Sequence, residues 1–270
     1  MPRLESPFTP VFGDRPHVFF GRRHVLGRFD SAMVNPGSPD RSLFITGTRG
    51  SGKTSLVGRL CARASRQGYR VFDLGPSDTV QRLLRSLARH DGLAATRGPM
   101  ERAAAPGMGA GVGLLAKTAR LGRHDLQPLL LRACRHARRG ILVTVDDVHK
   151  VPAEDVSAIC NACQMASRKG HDILLVLAGL PYAFEKTIYH EGCTFLRRAS
   201  HEEIGLLTWK EADEALKEAF ACVGTITDDQ VTIDALNHES KGQPYLMQLL
   251  GFFLVGLLDE ESSKIGRAHV

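Results

Sequence analysis

One stretch constrains the fold more than any other. The eight residues Gly47-Thr48-Arg49-Gly50-Ser51-Gly52-Lys53-Thr54 match G-x-x-x-x-G-K-[ST] at every specified position. An apolar run, Leu43-Phe44-Ile45-Thr46, precedes them, and Leu56, Val57, Leu60, Cys61 and Ala64 follow at helical spacing. Strand, glycine loop and helix is the context this motif requires. The glycines let the backbone curl its N–H groups around an anion, and the helix N-terminus adds the positive end of its dipole. The reading is a Walker A loop over Gly47 to Ser55 that holds the phosphates of ATP. Lys53 is expected to bridge the β- and γ-phosphates, and the hydroxyl of Thr54 to hold Mg²⁺.

A phosphate loop needs an acidic partner at the end of a second buried strand. Ile141-Leu142-Val143-Thr144-Val145 is that strand, closed by Asp146-Asp147. Asp146 fits the Walker B carboxylate on the metal, and Asp147 stands where a carboxylate would orient attacking water. This placement favours hydrolysis over phosphate transfer. The side chain of Asp is one methylene shorter than that of Glu, so slow turnover is expected. Further strands are expected at residues 70–73, 173–178 and near 203–207, with helices near 80–89 and 125–139. Alternation of this kind implies an α/β fold, a three-layer α/β/α P-loop NTPase core on a parallel five-stranded sheet.

From Leu246 to Leu258 the chain is apolar, but too short and too interrupted to span a membrane. The N-terminus carries no secretory pattern, and six scattered cysteines suit a reducing compartment, so a cytoplasmic location is expected. The net charge of +6 is unevenly spread: residues 82–139 hold twelve Lys/Arg against three acids, and residues 202–261 hold thirteen acids against three Lys. The basic middle admits nucleic acid as a partner, although arginines on helices flanking a nucleotide site are more often a solvated face.

With these motifs in place, the chain resembles the AAA+ ATPases, in particular the bacterial and archaeal ATP-binding proteins near the archaeal replication-initiator and STAND-type ATPases. The likeness runs from about Phe8 to Glu261. Val18-Phe-Phe-Gly-Arg-Arg-His24 resembles the family's segment beside the adenine, which implies that Gly21 and Arg22 contact the base. Leu177-Ala-Gly-Leu-Pro181 resembles the sensor-1 strand and its ending. Phe195-Leu-Arg-Arg198 resembles the arginine-bearing segment, which implies Arg198 or Arg197 as a finger completing the site of a neighbouring copy in a homo-oligomer; a surface salt bridge is the alternative. Lys241-Gly-Gln-Pro-Tyr-Leu246 resembles the G-x-P segment of the lid and implies that Pro244 borders the nucleotide. Two departures stand out. The sensor-1 strand ends in Ala178-Gly179 without a polar side chain, leaving Thr144 or His149 as substitutes, and the lid offers only Lys241 for a sensor-2 arginine.

Domain boundaries follow: residues 1–40 flank the adenine site, 41–207 form the ATPase core and 208–263 a helical lid. Residues 264–270 read as an artefactual tail, since a common sequencing adapter can encode them, and the resemblance implies a winged-helix domain beyond. Capping boxes are expected at Thr208-Trp-Lys-Glu211 and Thr227-Asp-Asp-Gln230, with Trp209 read as an anchor between lid and core rather than a ligand-stacking residue. Cys160-Asn-Ala-Cys163 reads as a helix face rather than a metal or redox pair. The glycine-rich stretch 92–122 reads as a surface loop. The function expected is an ATPase that binds Mg-ATP and hydrolyses it slowly as a conformational switch, acting on DNA or a protein client. A nucleic-acid-binding, initiator- or loader-like module is the alternative, and a small-molecule kinase comes last because the paired acids would then lack a task.

Overall fold

The computed structural model describes residues 6–11, 19, 21–90, 121–222 and 230–268. The expected loop at 92–122 falls almost wholly outside these residues, as does Thr227 of the second capping box. The chain divides into two compact units, one of Leu26–Thr46 and Arg59–Glu202, the other of Met1–Val25, Gly47–Gly58 and Glu203–Val270.

The first unit is built on a sheet in the order β2-β3-β4-β1-β5, comprising β1 (Ser42–Thr46), β2 (Arg70–Leu74), β3 (Ile141–Val145), β4 (Ile173–Gly179) and β5 (Ser200–Glu203). The pairs β2–β3, β3–β4 and β4–β1 are parallel. β3 and β4 are buried at every residue, as expected of strands with helices on both faces, where no position needs to be polar. Val145 faces Leu177 and Thr46 faces Gly179 in register, so the carboxyl ends of β1, β4 and β3 lie along one edge.

The remaining helices follow from their apolar stripes. α1 (Arg23–Val34) precedes β1, and α2 (Lys53–Arg66) follows the glycine loop with Leu56, Val57, Leu60, Cys61 and Ala64 buried. α3 (Thr79–His90) buries Val80, Leu83, Leu84 and Leu87, one face at 3.6-residue spacing. α4 (Leu126–His136), α5 (Ala153–Arg168) and α6 (Pro181–Ile188) complete the unit. Its core joins these helices to the sheet through Phe44, Leu130, Val143, Ile159, Leu175 and Leu196. Arg28 of α1 clamps Asp40 and Glu202, and Arg41 pairs with Asp172, which also accepts a 2.8 Å hydrogen bond from Tyr69.

The second unit holds α7 (Trp209–Ala221), α8 (Gln230–Ser240) and α9 (Pro244–Ala268). Phe8, Leu207, Leu216, Phe220, Ile233, Met247 and Val255 form its core. Phe8 meets Phe220 edge to face at 5.3 Å and occupies the place a side chain at Gly251 would need. The capping box at Thr208 forms as expected: Glu211 N–H donates to Thr208 Oγ1 at 3.3 Å, and Thr208 N–H donates to Glu211 Oε2 at 3.0 Å.

Two expectations change. The fifth strand ends at Glu203 instead of continuing to Leu207, because Leu207 N–H is taken by the Gly242 carbonyl at 2.7 Å. Trp209 is 55% exposed, so it anchors nothing by burial; its backbone carbonyl, not its ring, accepts from Asn237 at 3.1 Å. Among the described residues no helix is long and apolar enough to cross a membrane.

Candidate nucleotide site

The loop between β1 and α2 has the backbone its composition implies. Gly50 and Gly52 sit at φ +77° and +90°, values that L side chains rarely adopt. Gly47 is required for a different reason: a Cβ there would overlap the Ile204 carbonyl and stand 2.6 Å from Ser51 Oγ. Lys53 is 8% exposed and turns back over the loop, donating from Nζ to the Gly47 carbonyl at 2.8 Å and to the Thr48 carbonyl at 2.7 Å. Thr54 is exposed in the first turn of α2 and Ser55 half-buried, where a helix leaves N–H groups without intrahelical acceptors. Ser51 Oγ is buried and has no hydrogen-bond partner among the described residues. An orphaned buried hydroxyl in a glycine loop, with the lysine of the same loop folded onto two of its carbonyls, fits a phosphate.

The same unit brings Gln243 and Tyr245 to the loop's tip: a Cβ at Gly50 would lie 2.9 Å from Gln243 Nε2 and 3.3 Å from Tyr245 Cβ. Pro244 Cγ stands 4.0 Å from the Cβ position of Gly52. Pro244 thus borders the phosphate loop. Gln243 and Tyr245 were not singled out in the sequence; the signal available was their place on either side of that proline. The bend that delivers them needs Lys241 at φ +50° and Gly242 at φ +70°, and a side chain at Gly242 would strike the Leu207 carbonyl.

Gly21 and Arg22 also adopt positive φ, +64° and +58°. A Cβ at Gly21 would lie 2.8 Å from Leu207 Cδ2 and 3.0 Å from Glu211 Oε1, and the Arg22 guanidinium donates to the Gly205 carbonyl. Burial raises the pKa of Glu211, but hydrogen bonds from Thr208 and the charge of Arg22 outweigh it and hold the carboxyl below its usual range. Arg22 therefore braces the capping box through its backbone N–H and its charge on Glu211, while its guanidinium holds the Gly205 carbonyl.

At the end of β3, Asp146 N–H continues the ladder to the Leu74 carbonyl at 2.9 Å, and Asp146 Oδ1 accepts from Asp147 N–H at 2.8 Å. This local bond supports Asp147 in the left-handed region, φ +51° and ψ +40°. Asp147 Oδ2 is held by Lys150 Nζ at 2.5 Å. Thr144 is fully buried, donates to Asp73 Oδ1 at 2.7 Å and touches Cys61 Sγ at 3.8 Å. His149 does reach the end of β4, its Nδ1 3.7 Å from the Cβ position of Gly179. Arg197 lies over the Tyr189 ring at 5.2 Å, while Arg198 is exposed, and neither forms an ion pair among the described residues. The salt-bridge reading of these arginines is thus replaced, for Arg197, by a cation–π contact.

A parallel sheet with a glycine loop leaving β1 and an acidic pair leaving β3 defines a P-loop nucleotide-binding protein. Residues 18–176 match the family model of the AAA ATPase domain, and the chain belongs to that family. Solved structures share the fold. The Walker-type ATPase PABY2304 of Pyrococcus abyssi is 12% identical at a TM-score of 0.60, over 93% of this chain and 76% of that one. The ORC2 protein of Aeropyrum pernix, in ADPNP–ADP complexes, is 14% identical at 0.62 over 95% of this chain and 67% of that one. The ORC1 protein of Aeropyrum pernix in complex with DNA is 18% identical at 0.54 over 94% of this chain and 63% of that one. No curated protein matches the chain.

Proposed function

We propose that this protein binds Mg-ATP and hydrolyses it slowly, using the change as a conformational signal. The observation that carries the reading is the phosphate loop itself, with Lys53 folded over its carbonyls and Ser51 Oγ buried without a partner. In this reading the N–H groups of Gly47 to Ser55, including Thr48 and Arg49, surround the phosphates, and Lys53 exchanges its two carbonyl acceptors for phosphate oxygens. Gly21, Arg22 and Pro244 border the nucleotide. Thr54 and Asp146 hold Mg²⁺, which supplies neutralisation of charge on the phosphate oxygens.

Asp147 acts as the base or orienter for water. Its carboxylate must first leave Lys150, and this ion pair, together with the sparse end of β4, supports slow turnover. His149 is the polar group at that strand end. Arg198, exposed and without an ion pair among the described residues, is assigned to a neighbouring copy's site. Isothermal titration of the purified chain with ATP and Mg²⁺, followed by phosphate release under single-turnover conditions, tests the reading; absence of nucleotide binding overturns it.

One observation favours a second reading, a nucleic-acid-binding ATPase module. Arg82 and Arg89 on α3 and Arg132 and Arg135 on α4 are all exposed, on helices that pack together. Binding to duplex DNA that weakens steeply between low and moderate salt would support it.

A further inference from the structure

Opposite the strand ends that lead to Asp146 and Asp147, the first unit has a second edge, where β2, β3 and β4 begin in register at Arg70, Ile141 and Ile173. Four connections meet there, residues 34–41, 66–70, 136–140 and 168–172, and they hold seven Lys/Arg against two acids. Both acids are already neutralised, Asp40 by Arg28 and Asp172 by Arg41. Arg66, Arg138, Arg139, Arg168 and Lys169 are exposed and form no ion pair among the described residues. Arg70 is half-buried, and its Nη1 is buried without a hydrogen-bond partner among the described residues. The edge therefore carries a surplus of positive charge that the fold itself does not use.

The connections are tied to one another, so these charges sit on a fixed frame. Arg70 N–H donates to the Gly140 carbonyl and Ile141 N–H to the Asp172 carbonyl, both at 2.9 Å. Arg139 donates to Gln67 Oε1 at 3.1 Å and lies over the Tyr69 ring at 5.5 Å. Arg41 donates to the Ala32 carbonyl at 3.0 Å and the Ile173 carbonyl at 3.2 Å. A helix C-terminus attracts cations, which accounts for Arg66 and Arg168 in the last turns of α2 and α5. It does not account for Arg138 and Arg139, which stand beyond the end of α4 at His136.

The kind of partner follows from what the edge lacks. A protein partner needs apolar anchors at the centre of its interface, and Val34 is the one large apolar side chain exposed on these connections. A single strand needs rings on which its bases stack, and Tyr69 is buried. Backbone phosphates need neither, and the planar fork of arginine matches them. We propose that this edge binds the sugar–phosphate backbone of a duplex nucleic acid through Arg66, Arg138, Arg139, Arg168 and Lys169, without reading its sequence. The surface shares no residue with the α3 and α4 arginines of the second reading above, and ATP plays no part in it.

The test measures binding of the full chain, without nucleotide, to a short duplex DNA of mixed sequence by fluorescence anisotropy across a salt series. A variant carrying Arg138→Ala, Arg168→Ala and Lys169→Ala should flatten the slope of log affinity against log salt by about 0.9 for each cation removed. Its affinity at moderate salt should fall at least ~10-fold. Arg82→Ala, Arg85→Ala and Arg89→Ala together remove the same charge from α3 and should leave the parental slope. The converse result overturns the proposal and leaves the second reading standing. Single-stranded DNA or poly-glutamate bound as tightly as the duplex also overturns it, as does a parent that binds no duplex. In the unsubstituted protein, duplex DNA should shield Lys169 from acetylation, mapped by mass spectrometry, while exposed Lys210 on α7 stays reactive. Lys169 acetylated equally fast with and without duplex overturns the proposal even where the variants fail to fold.

Discussion

β1 and β4 pair residue for residue from Ser42↔Leu175 to Thr46↔Gly179, yet their carboxyl ends are made differently. β1 runs into a loop that combines glycine conformation, a folded-back lysine and a buried unpartnered hydroxyl, the parts the proposed phosphate site uses. β4 ends in Ala178-Gly179, walled by Val148, Ala183 and the His149 ring. Holding phosphate is mainly work for backbone N–H groups, which a short contiguous sequence can arrange. Positioning water needs side chains gathered from several elements, and here that second set is sparse. The contrast predicts a protein that binds nucleotide well and turns it over slowly.

The largest expected effect falls on the β1 end. Lys53→Ala removes two charge-assisted contacts worth about 1.5–3 kcal/mol each, so ATP binding by calorimetry should weaken at least ~100-fold. Retained affinity would show that the loop's backbone alone suffices. Asp147→Asn should leave affinity unchanged and lower single-turnover hydrolysis by about 100-fold, the usual scale for a positioned acid or base; a parental rate removes Asp147 from the chemistry. Gly242→Ala meets both a left-handed backbone and the Leu207 carbonyl, and should lower stability by about 3 kcal/mol in denaturant titration. Smallest are Thr208→Ala, about 1 kcal/mol from the lost cap, and Thr144→Val, about 1 kcal/mol from the lost bond to Asp73. Thr144→Val should leave hydrolysis within about twofold of the parent, because Thr144 is spent on Asp73; a large drop in rate would restore it as the polar group serving the β4 end.

What was legible in the sequence follows the same division. The phosphate loop, the apolar strands β3 and β4 and the cap at Thr208 each depend on residues close together in the chain, and each could be read. The end of β5 could not, since Leu207 is claimed by the distant carbonyl of Gly242. Nor could the fate of Thr144 or Asp147, whose partners are set by strand register and by a left-handed turn. Trp209 misled because size alone suggested burial, whereas a residue opening a helix can leave its ring in water.

Gln243 and Tyr245 stand against the glycine at the tip of the phosphate loop and open the long helix α9. Whatever displaces the tip when an anion enters must therefore push on the first turn of that helix, which offers a mechanical output without any hinge. Nucleotide occupancy should consequently be detectable by a reporter placed along α9, well away from the phosphates themselves.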